Sequence, residues 1–101
     1  MSKYASVFRQ VLNEHPELLT QIRRGVEKES LRVTEDQATL AQTQHPTALG
    51  SALTHPAITT EYSEALLEFI TPAESSIEAT EQSLADLHRF TARQLNKELL
   101  W

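Results

Sequence analysis

The hydrophobic positions near the start of the chain recur at helical spacing. They form one apolar stripe along a single helix face, made of Tyr4, Val7, Phe8, Val11 and Leu12. Pro16 cannot lie in the interior of that helix, and it disfavours helical geometry at the residue before it. We therefore predict a helix that ends before Pro16, followed by a turn or short helix over residues 17–20.

From residue 26 to residue 33 the polarity pattern is that of a strand. With a period of two, one face carries two acids in line with two apolar side chains, namely Glu27, Glu29, Leu31 and Val33. On a helix the two glutamates would lie about 200° apart and no continuous stripe would form. The pattern predicts a strand, and the polar turn 35–37 followed by residues 38–41 predicts a short return strand.

The second half of the chain adds an irregular segment, a strand and a helix. Residues 42–57 carry two His-Pro pairs and Gly50, which favour turns. The apolar run 65–70 is short and is stopped by a Thr-Pro pair, so it predicts a strand. Ser75 and Glu78 form a capping box, and the helix that it opens runs to about Asn96. These elements predict an α+β fold with helices flanking antiparallel strands.

Size and composition limit what such a chain can do. It has 101 residues, a net charge of -5 and no cysteine. This length gives one domain, residues 1–101, with a small core. The acidic balance argues against nucleic-acid and anionic-membrane partners, and the absence of cysteine excludes disulfides and thiol chemistry. No secretory leader or 18-residue apolar run is present, so we expect a cytoplasmic location.

Acidic side chains on the predicted strands are the candidates for chemistry. Glu27 and Glu29 would have Cα atoms about 6.6 Å apart on one strand face, close enough to share a hard divalent cation such as Mg²⁺. A solvated strand face is the alternative. Glu68 interrupts an apolar run, and burying it without a partner would cost several kcal/mol. Alternatively, Glu64 and Glu68 face water while residues 65, 67 and 69 form the core.

Basic residues beside these acids have two interpretations as well. They could hold a phosphate or a substrate carboxylate, or they could simply balance the acidic charge; the residues concerned are Arg23, Arg24, Lys28 and Arg32. The sequence contains no Gly-rich phosphate loop, no nucleophile elbow and no zinc spacing among its four histidines. A hydrolase therefore has no support in the sequence.

Four stretches taken together resemble the amino-terminal part of the bacterial type of glutamate–cysteine ligase. They are RGVEKESLRV at 24–33, HPTALGSALTH at 45–55, ITTEYSEALLEFITP at 58–72 and DLHRFTAR at 86–93. The resemblance covers nearly the whole chain. It implies that the strands are part of a catalytic sheet like that of glutamine synthetase.

The resemblance also implies an activity and a set of site residues. The family uses ATP to phosphorylate the γ-carboxylate of L-glutamate and lets the amine of L-cysteine displace the phosphate, the first step of glutathione synthesis. Glu27, Glu29 and Glu68 fall at its magnesium-binding positions. Glu61 stands where an aspartate ligand is expected, and Tyr62 where a phenylalanine near the cysteine pocket is expected.

Chain length is the main departure from the family, whose chains are several times longer. We therefore expect residues 1–101 to be the amino-terminal fragment of a single larger ligase domain, inactive on its own. The alternative is a non-catalytic binding module that associates with another chain.

Overall fold

The chain folds into two α-helices and one antiparallel sheet of four strands. The computed structural model describes residues 2–101, and this count refers to them. The helices are α1 (Lys3–Glu14) and α2 (Ile77–Gln94), and the strands are β1 (Glu27–Thr34), β2 (Ile58–Thr60), β3 (Leu66–Ile70) and β4 (Glu98–Leu100). The strands lie in the order β2-β3-β1-β4 with every neighbouring pair antiparallel. The predicted α+β class is confirmed.

One face of the sheet, here called the inner face, packs against α2. Strand alternation points Leu67 and Phe69 of β3 to this face, and both are fully buried. Together with Leu49 and Ile58 they form the core, against which Leu84, Leu87 and Leu100 pack. The opposite side of the sheet, here called the outer face, receives the alternate residues of each strand.

Helix α2 is fixed at its start by a cap and along its length by the core. The Ser76 hydroxyl accepts a hydrogen bond from the Ala79 amide at 3.1 Å, which satisfies one of the free amides of the first turn. The prediction of a capping box formed by Ser75 and Glu78 is therefore wrong, because the helix begins one residue later and Ser76 is its N-cap. Further along, the His88 ring lies 4.8 Å from the Phe69 ring, centroid to centroid. Burial and then the nearby charge of Lys28 lower the pKa of His88, which favours the neutral form of the imidazole.

The amino-terminal part forms a separate helical arm, residues 3–19. Pro16 starts a short 3-10 helix, Pro16–Leu19, so the predicted break and the short helix after it are confirmed. No residue of α1 (3–14) is buried, and the main packing partner of α1 is this 3-10 helix. The arm explains the elongated dimensions of 56 × 27 × 25 Å.

The prediction of a return strand over residues 38–41 is wrong. This segment makes one isolated bridge to β1, between Leu40 and Val33. Ala38 adopts a positive φ of 51°, which breaks the extended geometry that a strand needs. The irregular segment 42–57 is confirmed apart from a 3-10 turn, Thr47–Leu49. Within residues 2–101 neither helix combines the length and the apolar character needed to cross a bilayer.

Candidate functional site: an acidic row on the outer face of the sheet

The strand register aligns carboxylates across the outer face. Glu29 of β1 lies directly opposite Glu68 of β3, and Thr59 of β2 lies on the other side of Glu68. Directly opposed residues in antiparallel strands have Cβ atoms about 4.5–5.5 Å apart. Glu27 follows on the same face of β1, opposite Ile70. The sheet therefore carries one row, Thr59, Glu68 and Glu29, with Glu27 beside it.

The period-two pattern of β1 explains why the acids lie on this face. The alternate residues Ser30 and Arg32 are buried, whereas Glu27 and Glu29 are exposed. The predicted strand with its two faces is thus confirmed. Like charges directly opposite each other destabilise a sheet, so the pairing of Glu29 with Glu68 is not explained by stability.

The turn between β2 and β3, residues 61–65, adds a fourth acid, Glu61, to this region. The carboxyl groups of Glu61 and Glu68 lie within hydrogen-bonding reach of each other. The turn is closed by hydrogen bonds from the amides of Ala65 and Leu66 to Ser63, at 3.2 Å and 3.0 Å. Tyr62, next to Glu61, is fully exposed.

The electrostatics at Glu68 follow from this crowding. Partial burial is the largest cause that raises the pKa of Glu68, followed by the hydrogen bond to Glu61 and the negative charges of Glu27, Glu61 and Glu29. The folded chain thus makes the ionised form of this carboxyl less favourable. A positive charge placed among these groups would reverse that effect.

The arrangement is not a closed metal cage as it stands. Among residues 2–101 no three His, Asp or Glu side chains lie close enough together to hold a metal ion. The structure brings Glu61 to Glu68 and places Glu27 and Glu29 on the same face. Their metal-binding role remains a prediction.

The packing around Glu68 combines features of both of its interpretations. Ala65, Leu67 and Phe69 are buried, as the alternative expected. Leu66, Glu68 and Ile70 share the outer face and are each half-buried. Glu68 is therefore neither sealed in the core nor fully in water.

The hypothesis that Arg32 holds a phosphate or a substrate carboxylate is wrong for the described structure, in which it balances the charge of Glu98; for Arg23, Arg24 and Lys28 both interpretations stay predictions. Arg32 is fully buried and its Nη1 lies 2.8 Å from Oε2 of Glu98. The Lys28 ammonium donates to the Ser30 hydroxyl at 2.5 Å, on the inner face. Both charges point away from the acidic row.

Sequence reasoning missed Thr59, because its place in the row depends on the register of β2 against β3. Its hydroxyl donates to the Ala52 carbonyl oxygen at 2.8 Å, which ties β2 to the loop before it. The alternation of a three-residue strand is too short to reveal such a position.

Fold and site together define an α+β chain whose sheet is covered by a helix on one face and carries carboxylates on the other. The family model described as glutamate-cysteine ligase matches residues 9–101. The chain therefore belongs to the glutamate–cysteine ligase family.

Relatives in sequence and in structure agree with this assignment. The chain is 57% identical over 90 residues to a glutamate–cysteine ligase of Photorhabdus laumondii, covering 89% of this chain and 17% of that protein. A crystal structure of glutamate–cysteine ligase from Francisella tularensis in complex with AMP matches with a TM-score of 0.77 and 39% identity, over 80% of this chain and 16% of that one.

A bifunctional glutathione synthetase from Pasteurella multocida also matches with a TM-score of 0.77 and 36% identity, over 90% of this chain and 13% of that one. The chain thus spans less than a fifth of the length of each of these relatives.

Proposed function

We propose that this chain supplies the acidic face of an ATP-dependent ligase that joins L-glutamate to L-cysteine in the cytoplasm, the first step of glutathione biosynthesis. In that reaction the γ-phosphoryl group of ATP passes to the γ-carboxylate of glutamate, which gives γ-glutamyl phosphate and ADP. The cysteine amine then displaces phosphate and loses a proton. One observation carries the proposal: a member of this family aligns Glu29 with Glu68 across its sheet, with Glu27 and Glu61 beside them.

The donor set fits a magnesium ion, although the structure does not gather it around one. Magnesium takes hard oxygen ligands and keeps several waters, and the residues that would hold it are Glu27, Glu29, Glu61 and Glu68. When bound, the ion would neutralise negative charge on the transferring phosphoryl group. The raised pKa of Glu68, caused by burial and by neighbouring carboxyls, supports a site that favours a cation.

Tyr62 is the proposed contact to the cysteine substrate. Its side chain is fully exposed next to Glu61, so nothing in residues 2–101 covers the ring. The relative from Francisella tularensis was solved with AMP, which supports ATP as the nucleotide substrate.

We also propose that residues 1–101 form the amino-terminal part of one larger catalytic domain and do not turn over ATP alone. Glu27, Glu29 and Glu61 are exposed to water on an open sheet face. Phosphoryl transfer needs a site from which water is excluded. The relatives are about five times as long as this chain, so the residues that would exclude water from the site can lie in the remainder of such a chain.

The test is a Mg²⁺ titration of the 101-residue chain, followed by isothermal calorimetry and by amide shifts of β1 and β3. At 4 Å in water a carboxylate attracts a divalent ion by about 2 kcal/mol, twice the value for two unit charges. Glu29→Gln and Glu68→Gln should therefore each weaken binding by about thirtyfold. Added salt should reduce this difference.

Glu81→Gln is the matched control, because it removes the same charge from an exposed position on α2, on the other side of the sheet. It should change the Mg²⁺ affinity by less than about twofold. Equal weakening by all three variants would indicate a diffuse ion atmosphere and would refute the site. Formation of ADP by the chain alone, with glutamate, cysteine and ATP, would refute the proposal that it is inactive.

A further inference from the structure

Arg32 is the largest fully buried side chain described in the fold, and its guanidinium joins three separate segments. Nη1 donates to Oε2 of Glu98 at 2.8 Å and to the Thr43 hydroxyl at 2.8 Å. Nη2 donates to the Thr43 carbonyl at 2.9 Å and to the Glu64 carbonyl at 2.9 Å. These partners belong to β4, to the loop after β1 and to the turn 61–65.

The bond to Glu64 matters because of what this turn carries. The same turn holds Glu61 against Glu68, at the edge of the acidic row. The backbone amide of Arg32 also donates to the Ala65 carbonyl, at 2.7 Å. One residue of β1 therefore fixes two consecutive carbonyls of the turn, one with its backbone and one with its side chain.

The other end of the network keeps the guanidinium in place. The Glu98 side chain is 10% exposed and that of Arg32 is 0% exposed, so the pair is shielded from water. The Thr43 hydroxyl in turn donates to the second oxygen of Glu98. A buried charge held by several acceptors has little freedom to move.

We propose that Arg32 is a positioning residue that fixes the turn 61–65 so that Glu61 stays beside Glu68 and can share a cation with it. The positioning itself rests on the contacts above, and its consequence for cation binding rests on the proposed function. Arg32 acts from the inner face, through the backbone of the turn, and does not touch the cation.

The shape of the side chain explains why arginine suits this role. Its planar group presents five N–H donors in a fixed fork, whereas lysine presents one compact ammonium. An ammonium cannot reach Glu98, Thr43 and Glu64 from the same position. Arg32→Lys therefore keeps the charge and removes the connection between the turn and β4.

The experiment compares the wild-type chain with Arg32→Lys and Glu98→Gln, with Arg89→Gln as control. Arg89 pairs with Asp86 on the exposed surface of α2, so its loss changes charge without touching the turn. The first readout is hydrogen exchange of the Ala65 and Leu66 amides. The Ile70 amide, bonded to the Ala57 carbonyl at 2.8 Å, is the internal reference.

We expect exchange at the two turn amides of Arg32→Lys to rise by at least about tenfold, the factor for losing one hydrogen bond from a charged donor. Exchange at the reference amide should rise less. The second readout is a Mn²⁺ titration followed by paramagnetic broadening of the Glu68 amide, in which the affinity of Arg32→Lys should fall by several fold. Arg89→Gln should match the wild type in both readouts.

Two results would overturn the inference: turn amides as well protected in Arg32→Lys as in the wild type, or unchanged Mn²⁺ affinity once the turn is loosened. If Arg32→Lys does not fold, Glu98→Gln decides by the same readouts, since it keeps the shape of the partner and removes its charge. A wild-type chain that does not bind Mn²⁺ would refute the cation site, and exchange of the turn amides alone would then decide the positioning.

Discussion

Replacing Phe69 by alanine removes the largest buried apolar side chain of the sheet. Phe69 is fully buried among Leu49, Ile58 and Leu67, and its ring contacts His88. Truncating a buried phenylalanine costs about 3–5 kcal/mol, because burial is lost and the cavity closes only in part. The whole chain, at this length, should be stable by about 5–15 kcal/mol. The substitution therefore removes a large share of the chain's free energy of unfolding.

The assay is urea denaturation followed by the intensities of β3 amide signals. If the free energy of unfolding falls by about 2 kcal/mol per M urea, a destabilisation of about 4 kcal/mol lowers the urea midpoint by roughly 2 M. Phe69→Leu, which keeps much of the volume, should cost about 1.5 kcal/mol or less. The order of midpoints should be wild type, Phe69→Leu, Phe69→Ala.

Ile77→Ala is the control, because Ile77 is 64% exposed at the start of α2. A surface change of this kind should shift stability by less than about 0.5 kcal/mol. If Phe69→Ala and Ile77→Ala had the same midpoint, the inner face could not be the core of the chain.

Three further predictions concern a titrating group, a cap and a strained loop. The pKa of Glu68 is raised by burial and by neighbouring carboxyls, so the folded chain binds this proton more tightly than the unfolded chain. The urea midpoint should therefore rise as the pH is lowered through the folded-state pKa of Glu68, and Glu68→Gln should abolish this rise. Ser76→Ala removes the cap on the Ala79 amide and should cost about 0.5–2 kcal/mol in thermal unfolding, whereas Ser76→Gly should cost a few tenths. Gly50 has a φ of 83°, and an added Cβ would lie 3.1 Å from the His55 ring; Gly50→Ala should destabilise by about 1–3 kcal/mol in urea, and a neutral result would mean that the loop relaxes freely.

The sequence was most informative where one element displays two faces. The alternation of acids and apolar residues along β1 required a strand, and it placed Glu27 and Glu29 on the same side. The break at Pro16 and the presence of a helix after the serine pair are likewise local signals, since they depend on backbone geometry within a few residues; only the capping residue, Ser76 instead of Ser75, was placed one position too early. These elements were predicted correctly for that reason.

Contacts between distant segments could not be predicted in this way. The partner of Arg32 lies 66 residues away on β4, and no local pattern marks Glu98 as that partner. The proximity of Glu61 to Glu68 depends on how the turn 61–65 closes. The missing return strand depends on the positive φ of Ala38, a geometry for which alanine gives no signal.

The separation of the helical arm from the sheet has a consequence for how this chain unfolds. The contacts of α1 are local, and no residue of α1 (3–14) is buried. Segments of this kind open at a free energy well below that of the core. Circular dichroism reports the helical content of both α-helices. As urea is added, it should therefore show a loss of helical signal at concentrations at which the amide signals of β3 are still those of the folded chain. We therefore expect a single midpoint to describe only the body formed by the sheet and α2, and the arm to unfold in a separate equilibrium.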